Sequence, residues 1–214
     1  NAVDYSFPVE RKEFLFVTSP FGMRQDPTDG KERMHKGIDI RCDGDAVLAT
    51  EKDGKVIAVN GKSNTPGGKS LTVEYTRPDG SKVQCTYMHL GEISVKAGDT
   101  VQAGQKLGRS GNTGTRTTGE HLHFGVKQIY ADGTQRDVDP AAYLAEIAQK
   151  GHIKQQVLHN GNDLLARYKG TEENVTGKSL SPDAWMKKLL SSEDSGVGLS
   201  GCSDPIVEMA MTAF

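Results

Sequence analysis

Four of the six histidines in this chain fall in three short strings, and one of those strings also carries an aspartate. His35-Lys36-Gly37-Ile38-Asp39 supplies an imidazole and a carboxylate, and His121-Leu122-His123 supplies two more imidazoles. Two imidazoles and one carboxylate from separate places are a donor set for a catalytic zinc that keeps one position open for water. One imidazole of these three is then spare, and Tyr87-Met88-His89-Leu90 adds another candidate for acid–base work. The chain contains no His-Glu-x-x-His string, so a glutamate base of the thermolysin kind is not on offer.

Spacing constrains how these residues can meet. Residues two apart in a strand share a face and lie about 6.6 Å from one another. His121 and His123 therefore point into one space, with Leu122 and Phe124 turned to a core behind; one can bind a metal while the other stands beside it. Gly119 and Gly125 flank the pair and permit close backbone approach. His35 and Asp39, four apart, would be separated by about 13 Å if fully extended. Two ligands of one zinc need their donor atoms within roughly 3.5 Å, so this segment must bend. A helix fits poorly, because Gly37 sits inside it and Ile38 and Ile40 alternate around Asp39. A bend at Gly37, with His35 delivered from a loop and Asp39 from a strand, meets the requirement.

The elements that must position these groups are short and β-like. Apolar or alternating runs at 37–40, 46–49, 55–59, 70–75, 82–88, 105–109 and 121–127 are separated by turns such as Asp53-Gly54 and Asp79-Gly80. They predict a mainly β fold: an antiparallel sheet or sandwich with a catalytic groove, followed by an α-helical C-terminal extension. Asp139-Pro140 reads as cap and first residue of a helix over 141–150. A second helix is expected over 155–168, and a third from Ser181-Pro182-Asp183 through Trp185 to Leu189-Leu190. In this reading residues 1–18 are an N-terminal arm, 19–138 the core and 139–190 the helical extension. Residues 191–214 are a Ser/Gly linker and a helix that the chain cuts short, a pattern compatible with a further hydrolase domain. His152 and His159 are expected as exposed helix residues.

Bulk properties narrow the class. A chain of 214 residues builds one ordinary core, and 25 glycines with 6% aromatics suit many turns and short strands. A net charge of −2 gives no electrostatic case for nucleic acid or an anionic membrane as partner. No apolar run approaches the roughly 18 residues of a membrane helix. The three cysteines show no C-x-x-C spacing, and a Cys42–Cys85 disulfide is conceivable from their strand positions. A start at Asn1 rather than methionine is expected for a processed or cut form.

These residues resemble the lysostaphin-type (LytM-like) zinc endopeptidases that cut peptidoglycan cross-links. The likeness runs from Ser19-Pro20-Phe21-Gly22-Met23-Arg24, through the strings at 35–39 and 87–90, into the turn-and-strand segment 95–105. It continues in Gly111-Asn112-Thr113-Gly114, in Gly119-Glu120-His121-Leu122-His123-Phe124 and in Val138-Asp139-Pro140. The resemblance implies His35, Asp39 and His123 as ligands of one zinc ion, with His89 and His121 as the two catalytic histidines that do not bind it. It also implies peptidoglycan peptide as the partner and a location outside the cytoplasm: secreted, cell-surface or periplasmic. All five residues are present. Glu120 stands where the family often has proline, and strand parity turns it away from His121 into a structural role.

Two rivals weigh less. Residues 95–108 also look like the repeat of lipoyl and biotinyl carrier domains, but a carrier needs an exposed lysine at a hairpin tip and has no use for five metal-site residues. A LytM-like wall-binding scaffold that activates other hydrolases without catalysis usually lacks one or more of those residues, and this chain lacks none.

Overall fold

Runs in which alternate residues are apolar become strands, and most of the strands join one sheet. The computed structural model describes residues 3–10, 13–117 and 119–168. In chain order the strands are β1 (Phe14–Ser19), β2 (Gly22–Gln25), β3 (Glu32–His35), β4 (Ile38–Arg41), β5 (Ala46–Leu48), β6 (Gly54–Asn60) and β7 (Lys69–Thr76). They continue with β8 (Lys82–Ile93), β9 (Thr100–Val101), β10 (Lys106–Ser110), β11 (His121–Ile129) and β12 (Gln135–Val138). Helix α1 (Pro140–Gly151) follows, then β13 (Gln156–His159) and β14 (Asn162–Asp163).

Twelve strands form a sheet whose main path is β14-β13-β1-β4-β11-β8-β7-β6-β9, with β5, β10 and β12 branching from it; β2 and β3 pair separately as a two-stranded ribbon. The pairing is antiparallel throughout except for β1 with β13, which run parallel. The mainly β architecture expected from the sequence is the one found.

Strand β11 shows how the core fixes the site. Leu122, Phe124 and Val126 are buried on one face, so His121 and His123 face the other. Fully burying a side chain of that size contributes about 1.5–3 kcal/mol, so a one-residue slip exposing all three would cost roughly 5–9 kcal/mol. The facing of the paired histidines is thus set by three apolar neighbours.

Helix α1 begins where expected. Asp139 caps it by accepting the Ala141 N–H at 2.9 Å, with Pro140 in the first turn. Tyr143, Leu144 and Ile147 join the core. A buried ionic cluster tethers the helix: Arg77 Nη2 donates to Glu51 Oε2 at 3.0 Å and to Glu146 Oε1 at 2.8 Å, and the Tyr143 hydroxyl donates to Glu51.

The helix expected over 155–168 does not form. In its place β13 and β14 make a hairpin around Asn160 (φ 49°) and Gly161 (φ 82°). Two residues with positive φ form the tight turn that suits twisted antiparallel strands, and Asn-Gly is the dipeptide that most readily adopts it. Val157 then packs beside Leu15 of β1, both buried. His159 accordingly lies on a strand and is half-buried, while exposed His152 caps α1 with φ 53°. Cys42 and Cys85 are buried thiols, not joined by a disulfide. The helix expected from 181, the linker over 191–203 and the final helix lie outside the described residues.

Candidate metal centre

Strand pairing brings the ligand candidates together. β11 lies beside β4 in a register that sets His123 opposite Asp39. His35 ends β3, and the chain bends at Lys36-Gly37 before entering β4, as the spacing required; His35 comes from a strand end rather than a loop. The close fit explains Gly37: a Cβ there would sit 2.7 Å from His123 Nε2 and 2.7 Å from the Phe124 carbonyl oxygen.

Asp39 is the hub. Its Oδ1 lies 3.2 Å from His35 Nε2, 3.2 Å from His123 Nδ1 and 3.7 Å from His121 Nε2. The ligand atoms of His35, Asp39 and His123 all lie within 4.8 Å of one another. Asp39 Oδ2 is held apart from them by Arg24, whose Nη1 donates to it at 3.1 Å and to Ser19 Oγ at 2.6 Å. Burial would raise the Asp39 pKa, but the His123 and His35 rings set against the carboxylate outweigh it and hold the carboxyl well below the usual range. It is an anion.

Backbone carbonyls decide the tautomers. His35 Nδ1 meets the Pro20 carbonyl at 2.8 Å, His89 Nδ1 meets that of Thr113 at 2.8 Å, and His121 Nδ1 meets that of Gly119 at 2.7 Å. A carbonyl only accepts, so each Nδ1 carries a proton and each neutral ring keeps its lone pair on Nε2. Burial pushes the pKa of His89 and of His123 down, which favours the neutral rings a metal site needs.

His89 reaches the site against strand parity. Tyr87, two residues earlier, is fully buried in the core. A register shift between β7 and β8 and a left-handed backbone at His89 (φ 63°) break the alternation. Its ring then stands 4.8 Å from that of His121 and 6.3 Å from that of His123, centroid to centroid. Such a conformation costs on the order of 1–3 kcal/mol and persists where neighbours impose it. Here the Gly67 carbonyl accepts the His89 N–H at 2.7 Å, and Thr113 takes the ring and also donates its hydroxyl to the Leu90 carbonyl at 2.6 Å.

A cavity of about 530 Å³ opens beside the centre, lined by Asp39 and His121 together with Ser19, Arg24, Glu120 and His159. Glu120, which just precedes β11, is exposed and borders the same cavity as His121. Sequence reasoning gave no role to Arg24, Thr113 or His159. Arg24 ends the string 19–24 and Thr113 sits in the string 111–114, while the Asn160-Gly161 turn is the sequence signal for His159.

The donor set suits a divalent metal of the zinc type, with neutral imidazoles and one ionised carboxylate, and with His35 and Asp39 each oriented by a partner, the Pro20 carbonyl and Arg24. The fold and this site define a metallopeptidase domain. The chain matches peptidase family M23 over residues 33–140 and belongs to that family. It is 32% identical over 161 residues to the peptidoglycan DD-endopeptidase ShyB of Vibrio cholerae serotype O1, covering 70% of this chain and 36% of that protein. It is 36% identical over 107 residues to the glycyl-glycine endopeptidase ALE-1 of Staphylococcus capitis, covering 50% of this chain and 28% of that protein. The chain therefore spans well under half the length of these relatives. A chain in the crystal structure of the SpoIIIAH and SpoIIQ complex shares the fold, with TM-score 0.50 and 23% identity over 65% of this chain and 99% of that one. Among the described residues no helix is long and apolar enough to cross a membrane.

Proposed function

We propose that this chain is a zinc-dependent endopeptidase that hydrolyses peptide cross-links or stem peptides of bacterial peptidoglycan, outside the cytoplasm. The observation that carries the reading is the convergence of His35 Nε2, Asp39 Oδ1 and His123 Nδ1, with two further imidazoles alongside whose tautomers are fixed. His35, Asp39 and His123 would hold the ion. Bound there, zinc polarises a carbonyl and brings the pKa of a water toward about 7.

His89 and His121 would do the proton work. Each presents an unprotonated Nε2, so one can take a proton from the attacking water and pass it to the departing amide nitrogen. The water oxygen forms the new carboxylate as the C–N bond breaks. An imidazolium in the same place stabilises the oxyanion that precedes cleavage. The family membership and the peptidoglycan endopeptidases among the relatives support the substrate class. A scaffold without catalysis is not favoured, because all five residues are in place.

The test pairs metal analysis with product analysis. The chain is expected to carry one zinc per molecule and to release peptide fragments from purified walls, identified by mass spectrometry. Walls of differing cross-link chemistry reveal the bond cut. A zinc-loaded protein that releases nothing from any wall would overturn the proposal.

A further inference from the structure

Three charged residues line the cavity beside the centre: Arg24, Asp39 and Glu120. Arg24 and Asp39 neutralise one another at 3.1 Å. Glu120 has no ion-pair or hydrogen-bond partner among the described residues, so its carboxylate is the uncommitted charge of this space. A second feature of the wall has the same polarity. His159 donates Nδ1–H to the Val17 carbonyl at 2.8 Å, which leaves Nε2 as an acceptor. That atom is engaged only by the long contact to Asn160 Nδ2 at 3.3 Å. His159 arrives on β13, beyond the residues 33–140 that match the family, so the parallel pairing with β1 adds this wall to the site.

A carboxylate and an imidazole whose remaining nitrogen is an acceptor, both on the wall of one open space, call for a hydrogen-bonding cation. We propose that the cavity seats a primary ammonium group of the substrate, with Glu120 as its counter-charge and His159 as a second acceptor. The inference rests on the endopeptidase reading and specifies it: the chain prefers peptides bearing a free amine close to the scissile bond over neutral, glycine-only peptides. The ammonium can belong to a diamino-acid side chain or to a peptide N-terminus, and the experiment separates the two.

The test uses matched short peptides with a diamino acid next to the scissile bond: both amines free, the side-chain amine acetylated, or the α-amine acetylated. Acetylating the recognised amine is expected to raise KM about fivefold with kcat unchanged, the upper range for an exposed ion pair. Glu120→Gln should impose the same rise on the free-amine peptide and become indifferent to acetylation. The preference should fade at high salt, as screening requires. His159→Phe should weaken the free-amine peptide by a smaller factor, while thermal unfolding confirms that the hairpin is intact. Equal KM for all three peptides, or a Glu120→Gln effect confined to kcat, would overturn the inference. Should the wild type cleave none of them, the endopeptidase reading fails separately. Fluorescence anisotropy of the same labelled peptides then decides the ammonium site by itself: tighter binding of a free-amine peptide that Glu120→Gln abolishes supports it, and equal binding rejects it.

Discussion

Arg24 and Asp39 divide the aspartate between two tasks: Oδ2 accepts from the guanidinium at 3.1 Å, while Oδ1 faces the histidines. A carboxylate so held offers one oxygen to a metal and keeps the other out of the way. Arg24 itself is pinned by Ser19, whose backbone pairs with Asp39 across a register shift between β1 and β4. The arrangement therefore begins in residues that precede the family match at 33–140.

Arg24→Met should leave zinc bound but lower kcat/KM by about 10–100-fold, the usual size of losing a group that orients a metal ligand. Arg24→Lys restores the charge without the planar fork and should recover only part of the loss. Metal content and steady-state kinetics on the same preparations check both statements.

The five site residues should separate into two classes. Asp39→Ala and His123→Ala are expected to lose the ion as read by elemental analysis. His89→Ala and His121→Ala should retain it while kcat falls roughly 10²–10⁴-fold, the range for a positioned acid–base group. Zinc loss in either of the latter two would reassign that histidine as a ligand. The 3.7 Å from His121 Nε2 to Asp39 Oδ1 makes that measurement worth having.

Gly37→Ala should disable the centre without touching a ligand. Its Cβ would meet His123 Nε2 and the Phe124 carbonyl oxygen at 2.7 Å each. The carbonyl belongs to a paired strand, so the imidazole is the group that moves. A cost of about 1–3 kcal/mol in stability is expected, together with weakened zinc binding. Chemical denaturation and a chelator competition would show whether the two losses go together.

Glu146 predicts a pH dependence of stability. Burial pushes its carboxyl up from 4.5 to about 7, against the pull of Arg77. Raised on folding, this group favours the native state fully below its unfolded value, and the advantage is lost as pH climbs from 4.5 through about 7. Glu146→Gln removes the effect, so its stability relative to wild type should improve from pH 5 to pH 8, by on the order of 3 kcal/mol. Denaturant titrations at the two values suffice; an unchanged difference would mean that Glu146 is ionised in the fold throughout.

The residue types and spacings by themselves determined the candidate donor set, the bend at Gly37, the shared facing of His121 and His123, and the Asp139 cap of α1. Each of these follows from local geometry: strand periodicity, a distance limit between ligands, or a cap one residue before a proline. Tertiary structure decided the rest. His89 should have followed Tyr87 into the core by parity, and only the register shift against β7 turns it to the site. Local pattern places His159 on a helix, and its approach to the cavity depends on a parallel pairing with β1 across 142 residues. The Arg24–Asp39 pair and the three orienting carbonyls of Pro20, Thr113 and Gly119 likewise join groups from separate segments. Periodicity reports which way a side chain points along its own strand, whereas the neighbour a strand acquires depends on how the whole sheet closes.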